Sequence, residues 1–317
     1  MMERLFAMRS RVGAESAETP RDQHAATHLR RRRFVQNVAF GLMWLAGLVG
    51  VVVLVAVVGY VLWSGGSVIN WEFLTTPPRG GLAGEGGIST TIVTTLYLVG
   101  LTLAIATPLG VGAGIYLVEY AGEMESRSRF VRWLVIVARF GVETLAGVPS
   151  IVFGLFGYAL FVVAMQFGFS LMAASLAGAS LILPVIIRTT EEALKAVPRS
   201  YREGSLALGA TKWQTIWQVV LPAAGPGIIT GVVLGVGRVI SETAVFYVTL
   251  GGSASVPTSL LEGGRTMALH VYYLAMDTRA FDRSMGTGAI LVLVIVVINA
   301  TINIMSRRYM KRMMGNV

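Results

Sequence analysis

Five charged side chains fall inside apolar runs of this 317-residue chain: Arg139, Glu143, Arg188, Arg238 and Glu242. A charge near the centre of a bilayer costs at least about 2.5 kcal/mol on insertion scales, so each needs a physical reason. Arg139 and Glu143 are four residues apart, as are Arg238 and Glu242, which on a helix places each pair on one face, one turn apart. For Arg139 and Glu143, mutual neutralisation inside a helix bundle is the favoured reading. Arg238 and Glu242 sit mid-span in a helix opened by Gly227, Gly231, Gly235 and Gly237, where small residues permit close backbone approach. A guanidinium partly satisfied by its own acid need not hold an anion permanently, which suits passage of an oxyanion better than capture. Arg188 has no acid one turn before it, while Glu191 and Glu192 follow it. It either snorkels toward the membrane surface or turns inward beside Thr189 and Thr190, offering planar donors to two oxygens at once.

Other chemistries find little material. The chain has no cysteine, and its histidines are His24, His28 and His270. His24 and His28 are four apart, but no Glu follows His24 and the surrounding tail is Arg-rich, so no metal site is expected. A membrane enzyme acting on lipid-linked phosphate would require a general acid or base with a nucleophile or metal cluster near the interface. No intramembrane His, Cys or carboxylate cluster supplies one. No Gly-x-x-x-x-Gly-Lys-Ser/Thr loop occurs either, so ATP hydrolysis, if it drives this protein, belongs to another polypeptide.

The elements that must position the charges are membrane helices. Hydrophobic residues make up 54% of the chain and charged ones only 14%, and apolar runs recur near the ~20 residues that a spanning helix needs. The run from Phe34 to Trp63 carries no charge, is too long for a signal-peptide core and reads as a retained span. The pattern predicts an all-α membrane protein with six transmembrane helices at 36–63, 89–118, 133–165, 171–190, 225–249 and 286–305. Pro149 makes the third of these a broken or kinked helix. Nineteen Lys and Arg fall in the two tails, segment 119–132 and loop 191–222, against four on the other side (Arg79, Arg265, Arg279 and Arg283). Positive loops stay cytoplasmic, so both termini and loop 191–222 are placed there. The same asymmetry assigns the net charge of +9 to membrane topology rather than to nucleic acid.

The resulting division is a disordered Arg-rich tail over 1–33, a first transmembrane helix over 34–63 and an extracytoplasmic loop over 64–88. A transmembrane domain over 89–305 contains loop 191–222, and a basic cytoplasmic tail covers 306–317. The first outer loop is given one short interfacial helix around Trp71-Glu72-Phe73-Leu74, and 251–284 is read as a second outer loop. The Arg run at 30–33 is a topology anchor that would also suit anionic membrane lipid.

Loop 191–222 holds the most specific pattern. Glu203-Gly204-Ser205 is followed after three residues by Gly209, after nine more by the aliphatic Val219, and then by Leu221-Pro222. A polar, basic, helix-forming segment between apolar spans must lie outside the bilayer. This one resembles the coupling loop of ABC importer permeases, where a short helix docks into a cleft on an ATPase subunit. Relatives usually carry two Ala where this chain has Gly204 and Ser205; both remain small, and the change costs helix propensity of up to about 1 kcal/mol. The plainer alternative is an amphipathic interfacial helix.

Further stretches narrow the resemblance: Trp71-Glu72-Phe73-Leu74-Thr75, Thr94-Thr95-Leu96-Tyr97, Pro108-Leu109-Gly110-Val111-Gly112, Glu119-Tyr120, the run Leu145 to Leu155, Ile187-Arg188-Thr189-Thr190-Glu191-Glu192, and Arg238 with Ser241-Glu242-Thr243-Ala244. Together they resemble the A-type permease subunit of the bacterial high-affinity phosphate ABC importer. The resemblance implies a type I importer fold in the plasma (inner) membrane and a homologous C-type permease partner. It also implies two copies of a cytoplasmic ATPase carrying ATP and Mg, and an extracytoplasmic phosphate-binding protein. It links positions matching Arg188, Arg238 and Glu242 to phosphate passage, and Glu203, Gly204, Ser205, Gly209, Leu221 and Pro222 to ATPase coupling. No catalytic residue, metal or cofactor is expected on this chain. Another oxyanion (sulfate or molybdate) and a passive anion channel are the alternatives. Ser241 stands where relatives commonly have Gly.

Overall fold

The computed structural model describes residues 20–79, 84–121, 128–278 and 280–314, and its described residues are helical with connecting loops. Two compact units divide it, residues 1–60 and 61–317. Residues 20–60 of helix α1 (Pro20–Gly66) make up the described part of the first unit, and from Val35 to Val57 its side chains are exposed on every side. A helix apolar all round is stable only when lipid or another chain covers it. The tail expected to be disordered is helical from Pro20, because no Pro or Gly interrupts the run into the span; residues 1–19 lie outside those described.

In the second unit, α2 (Trp71–Thr75) is the short helix expected in the first outer loop, started by Asn70, whose Oδ1 accepts from Phe73 N at 2.7 Å. Next come α3 (Ser89–Ile115), continued by a π-helical turn Tyr116–Tyr120, and α4 (Arg129–Ala146). Helix α5 (Ser150–Gly157), continued by π-helical Tyr158–Ala164, lies at 113° to α4. The break falls at Gly147-Val148-Pro149, as Pro149 led us to expect. Then follow α6 (Leu171–Ala196), α7 (Arg199–Ala207), α8 (Lys212–Thr215) with a π-helical turn Ile216–Val220, and α9 (Leu221–Ser241). Helices α10 (Ala244–Thr249), α11 (Met267–Met276) and α12 (Phe281–Met314) complete the chain. Among the described residues five helices are long and apolar enough to cross a membrane, or six if the bent pair is one span.

Helix ends run past the sequence reading at α6 (to Ala196) and α12 (Phe281–Met314, through most of the tail set at 306–317), and two segments differ in kind. The fifth span does not run through to 249: α9 stops at Ser241, Glu242 takes an extended ψ of 129°, and α10 starts a new helix. The second outer segment is not only loop but holds α11, capped by Thr266, whose side chain accepts from Leu269 N at 3.2 Å.

Helix α6 is the axis of the core. Its Ala173, Ala174, Ala177 and Ser175 are fully buried, a small-residue stripe that lets neighbours approach closely. Helix α3 packs parallel to it: Gly110 faces Ile186, Gly114 faces Thr190, and Gly178 faces Thr102, a constant offset along the chain. Helix α9 runs antiparallel, with Gly227 on Ala193, Gly231 on Thr189, and Gly235 on Ile186 and Ile182. At Gly231 a Cβ would overlap Thr189 Oγ1, so the approach there depends on glycine.

Candidate functional site

Helix α7 buries none of its residues, although Tyr201, Leu206 and the following Leu208 are apolar and exposed, Leu208 to 91%. Its end is fixed by Gly209 at φ +84°, which only glycine adopts freely. There Gly209 N donates to Leu206 O at 3.0 Å and Ala210 N to Ser205 O at 3.3 Å. That pair of bonds is a Schellman stop and explains why glycine belongs at this position. Thr211 and Gln214 then form a capping box that starts α8. Ser205 Oγ lies 2.9 Å from Thr215 Oγ1, so the small residue at 205 ties the two helices together. Glu203 and Gly204 stay on the exposed side, and Leu221 and Pro222 open α9 after the π-helical turn.

One residue anchors the whole element. Arg202 Nη2 lies 2.6 Å from Glu119 Oε1 and Nε lies 3.1 Å from the same oxygen. Its Nη1 donates to Val197 O and its Nη2 to Leu194 O, both at 2.9 Å. The pair is shielded, with side chains 19% and 9% exposed. Beside it, Lys212 sits 4.7 Å from the Tyr120 ring centroid. Arg202 and Lys212 are thus engaged by partners rather than left as solvated surface charges. Glu119 is 83 positions from Arg202, and only a fold that brings the ends of α3 and α6 together reveals the partnership.

The intramembrane charges are arranged differently from a simple helix face. Arg238, 51% exposed, lies 3.5 Å from Glu242, whose side chain is 5% exposed. Glu242 is not mid-helix: it occupies the break after α9, and its Oε1 also accepts from Val245 N at 3.3 Å, starting α10. Arg188 pairs with Glu192 at 3.3 Å, both largely exposed, which directs it toward the α7 end of α6. Arg139 donates to Leu117 O at 3.1 Å, and among the described residues no ion pair joins it to Glu143. Arg139 instead meets the Leu117 carbonyl just past the end of α3, and the expected mutual neutralisation with Glu143 is not formed. Among the described residues no bond links Arg188 to Arg238 or Glu242; by the antiparallel register of α6 and α9, Arg188 and Arg238 stand ~9 Å apart along the axis.

Residues 106–315 match the family described as binding-protein-dependent transport system inner membrane component. The chain belongs to that family. The inner membrane component from Mycobacterium leprae (strain TN) named phosphate transport system permease protein PstA is 36% identical, over 85% of this chain and 88% of its own length. A probable ABC transporter permease protein, YqgI of Bacillus subtilis (strain 168), is 31% identical over 90% of this chain and 99% of its own. Among solved structures, an inward-facing MetNI methionine ABC transporter superposes with a TM-score of 0.51 at 21% identity, covering 72% of this chain and 94% of that one. The fold of this inner membrane component is thus that of ABC importer permeases, and transport rather than catalysis is its business.

A second polar cluster, absent from the sequence reading, sits at the opposite end of the bundle. Arg265 donates to Gly252 O through Nη2 at 2.6 Å and Nε at 3.0 Å, and stacks 4.4 Å from the Tyr273 ring centroid. His270 on α11 is buried beside it, with Nδ1 3.4 Å from Arg265 Nη1. Burial, and secondarily the neighbouring guanidinium, push His270 down to about 4, so it is neutral. Among the described residues no group of three or more His, Cys, Asp or Glu is placed to hold a metal ion.

Proposed function

We propose that the chain is a transmembrane subunit of an ATP-driven importer of inorganic phosphate, with α7 as the element that docks on the ATPase. The observation that carries this reading is α7 itself: a polar helix with an exposed apolar edge, clamped by Arg202 to two spanning helices. An exposed Leu at 91% has no use within the chain and suits a pocket on another protein. Phosphate is the cargo favoured by the phosphate permeases among its relatives at 33–36% identity.

In this reading both termini and α7 are cytoplasmic, which the placement of bases supports. A homologous permease subunit completes the pathway, two ATPase copies carry ATP and Mg, and an extracytoplasmic binding protein delivers phosphate. Closure of the ATPases moves α7, and the bundle alternates between inward- and outward-open states. Arg188 and Arg238 offer guanidinium donors to the passing anion, each already partly neutralised by Glu192 or Glu242. Such weakened sites bind without trapping. No bond in phosphate is made or broken.

The test is uptake of labelled phosphate into proteoliposomes holding the chain, its permease partner, the ATPase and the binding protein. ATP-dependent uptake that sulfate and molybdate do not displace is expected, and Arg238→Ala abolishes it. Loss of ATP dependence in an intact complex would overturn the importer reading. Displacement by sulfate or molybdate would reassign the cargo, and uptake unchanged in Arg238→Ala would remove that residue from the pathway.

A further inference from the structure

Next to the Arg202–Glu119 clamp a cleft of ≈ 580 Å³ opens between the ends of α3 and α6, α4 and the first turn of α7. Among the described residues four cations line it, Arg139, Lys195, Arg199 and Arg202, against two carboxylates, Glu119 and Glu203. Glu119 is committed to Arg202 at 2.6 Å, so it neutralises none of the other three. Lys195 leans on Glu191 of its own helix at 2.7 Å yet remains more than half exposed. Arg139 uses one nitrogen on Leu117 O. Arg199 has no hydrogen-bond or ion-pair partner among the described residues, even with Glu203 four positions away. The rest of its described lining is apolar, formed by Leu117, Val118 and Val197.

Cations crowded into a shared cleft repel one another and are stabilised by an anion with several oxygens. Two guanidinium groups from different helices suit a tetrahedral oxyanion, which each can engage through two nitrogens. A basic pocket with apolar walls between spanning helices has the character of a phosphate headgroup site. We propose that this cleft binds a phosphate group, presented by an anionic phospholipid or as free phosphate, and holds it between Arg139 on α4 and Arg199 on α7. It is separate from the Arg188 and Arg238 pathway. Occupancy would brace α7 against α4; that consequence for transport rests on the coupling role proposed above, whereas binding does not.

The experiment uses the full-length chain in phosphatidylcholine nanodiscs. One arm titrates phosphatidylglycerol and counts retained lipid by native mass spectrometry; the other titrates inorganic phosphate by calorimetry. Wild type is compared with Arg199→Gln, with Arg139→Gln/Arg199→Gln, and with Arg308→Gln as a charge-matched control. The expected result is binding at least about tenfold weaker in the double variant and unchanged in Arg308→Gln. A loss confined to the lipid arm assigns the headgroup, and one confined to the phosphate arm assigns the free anion. Equal affinity in wild type and double variant in both arms overturns the site. If the double variant does not fold, the exposed Arg199→Gln change alone decides. Because binding is read on the isolated chain, a negative result leaves the importer reading standing, and failed phosphate uptake leaves this site standing.

Discussion

Arg202 on α7 grips Glu119 at the end of α3 from 2.6 Å and, with the same guanidinium, the last carbonyls of α6 at Leu194 and Val197. One side chain therefore joins the exposed helix to two spanning helices. Replacing it by Met leaves the shielded Glu119 carboxylate without its cation, and a loss of about 3 kcal/mol is expected in thermal unfolding of the detergent-solubilised chain. Arg202→Met/Glu119→Leu should recover most of that stability, since an apolar pair removes the stranded charge. A double variant as unstable as the single one would show that the carbonyl contacts, not the ion pair, dominate.

The Leu208 side chain is 91% exposed, and the residue's bond to the chain is the backbone one from its N to Gly204 O. Leu208→Ser is expected to leave the melting curve within about 0.5 kcal/mol of wild type, while the amount of ATPase retained on purification falls severalfold. Full retention of the ATPase would move the docking contact elsewhere on α7.

Gly231 and Gly237 separate packing glycines from idle ones on the same helix. A Cβ at Gly231 would overlap Thr189 Oγ1, which is itself held by Val185 O at 2.8 Å and Ile186 O at 3.2 Å. Gly231→Val should cost about 1–3 kcal/mol by forcing α6 and α9 apart. At Gly237 nothing lies within 4 Å of an added Cβ, so Gly237→Ala should stabilise by about 0.4–1 kcal/mol. Matching melting shifts from the two substitutions would contradict the register of α6 against α9.

His270 gives the protein an acid-sensitive point outside the spanning helices. Its ordinary value of 6.5 falls to about 4 in the folded chain, chiefly through burial. Between those values the unfolded chain binds the extra proton, so stability is complete above pH 6.5 and declines as pH falls toward 4. The loss approaches about 3 kcal/mol. His270→Gln should flatten unfolding curves over that range, and an unchanged slope would place the acid sensitivity in other groups.

Much of this architecture was legible because membrane helices announce themselves by length and by flanking bases. The Pro149 break, the short helix at Trp71 and the α7 motif all follow from local rules. What stayed hidden depends on contacts between distant segments. Nothing near Glu119 marks it as the partner of Arg202, and the carbonyl that draws Arg139 away from Glu143 belongs to the end of another helix. The helix stop at Ser241 was concealed for a different reason: apolar residues resume directly after Thr243, and no Gly or Pro occurs between Arg238 and Leu250 to announce a break. The Arg238–Glu242 pair survives that break because the carboxylate turns back across it while also starting α10.

Helices α3 and α6 lie side by side in the same direction, interlocked at Gly110, Gly114 and Gly178, and Arg202 is fastened to the far end of both. In mechanical terms they are two rods bolted to one bracket. On the coupling role proposed for α7, a push there would load both in phase along their length, as a pair rather than one against the other. Any shear then falls on the antiparallel seam with α9, where smooth glycine meets Thr189 and Ala193. On the pathway role proposed for Arg238 and Glu242, which stand at the end of α9, a stroke started at α7 would arrive at these charges as a change in their alignment with Arg188.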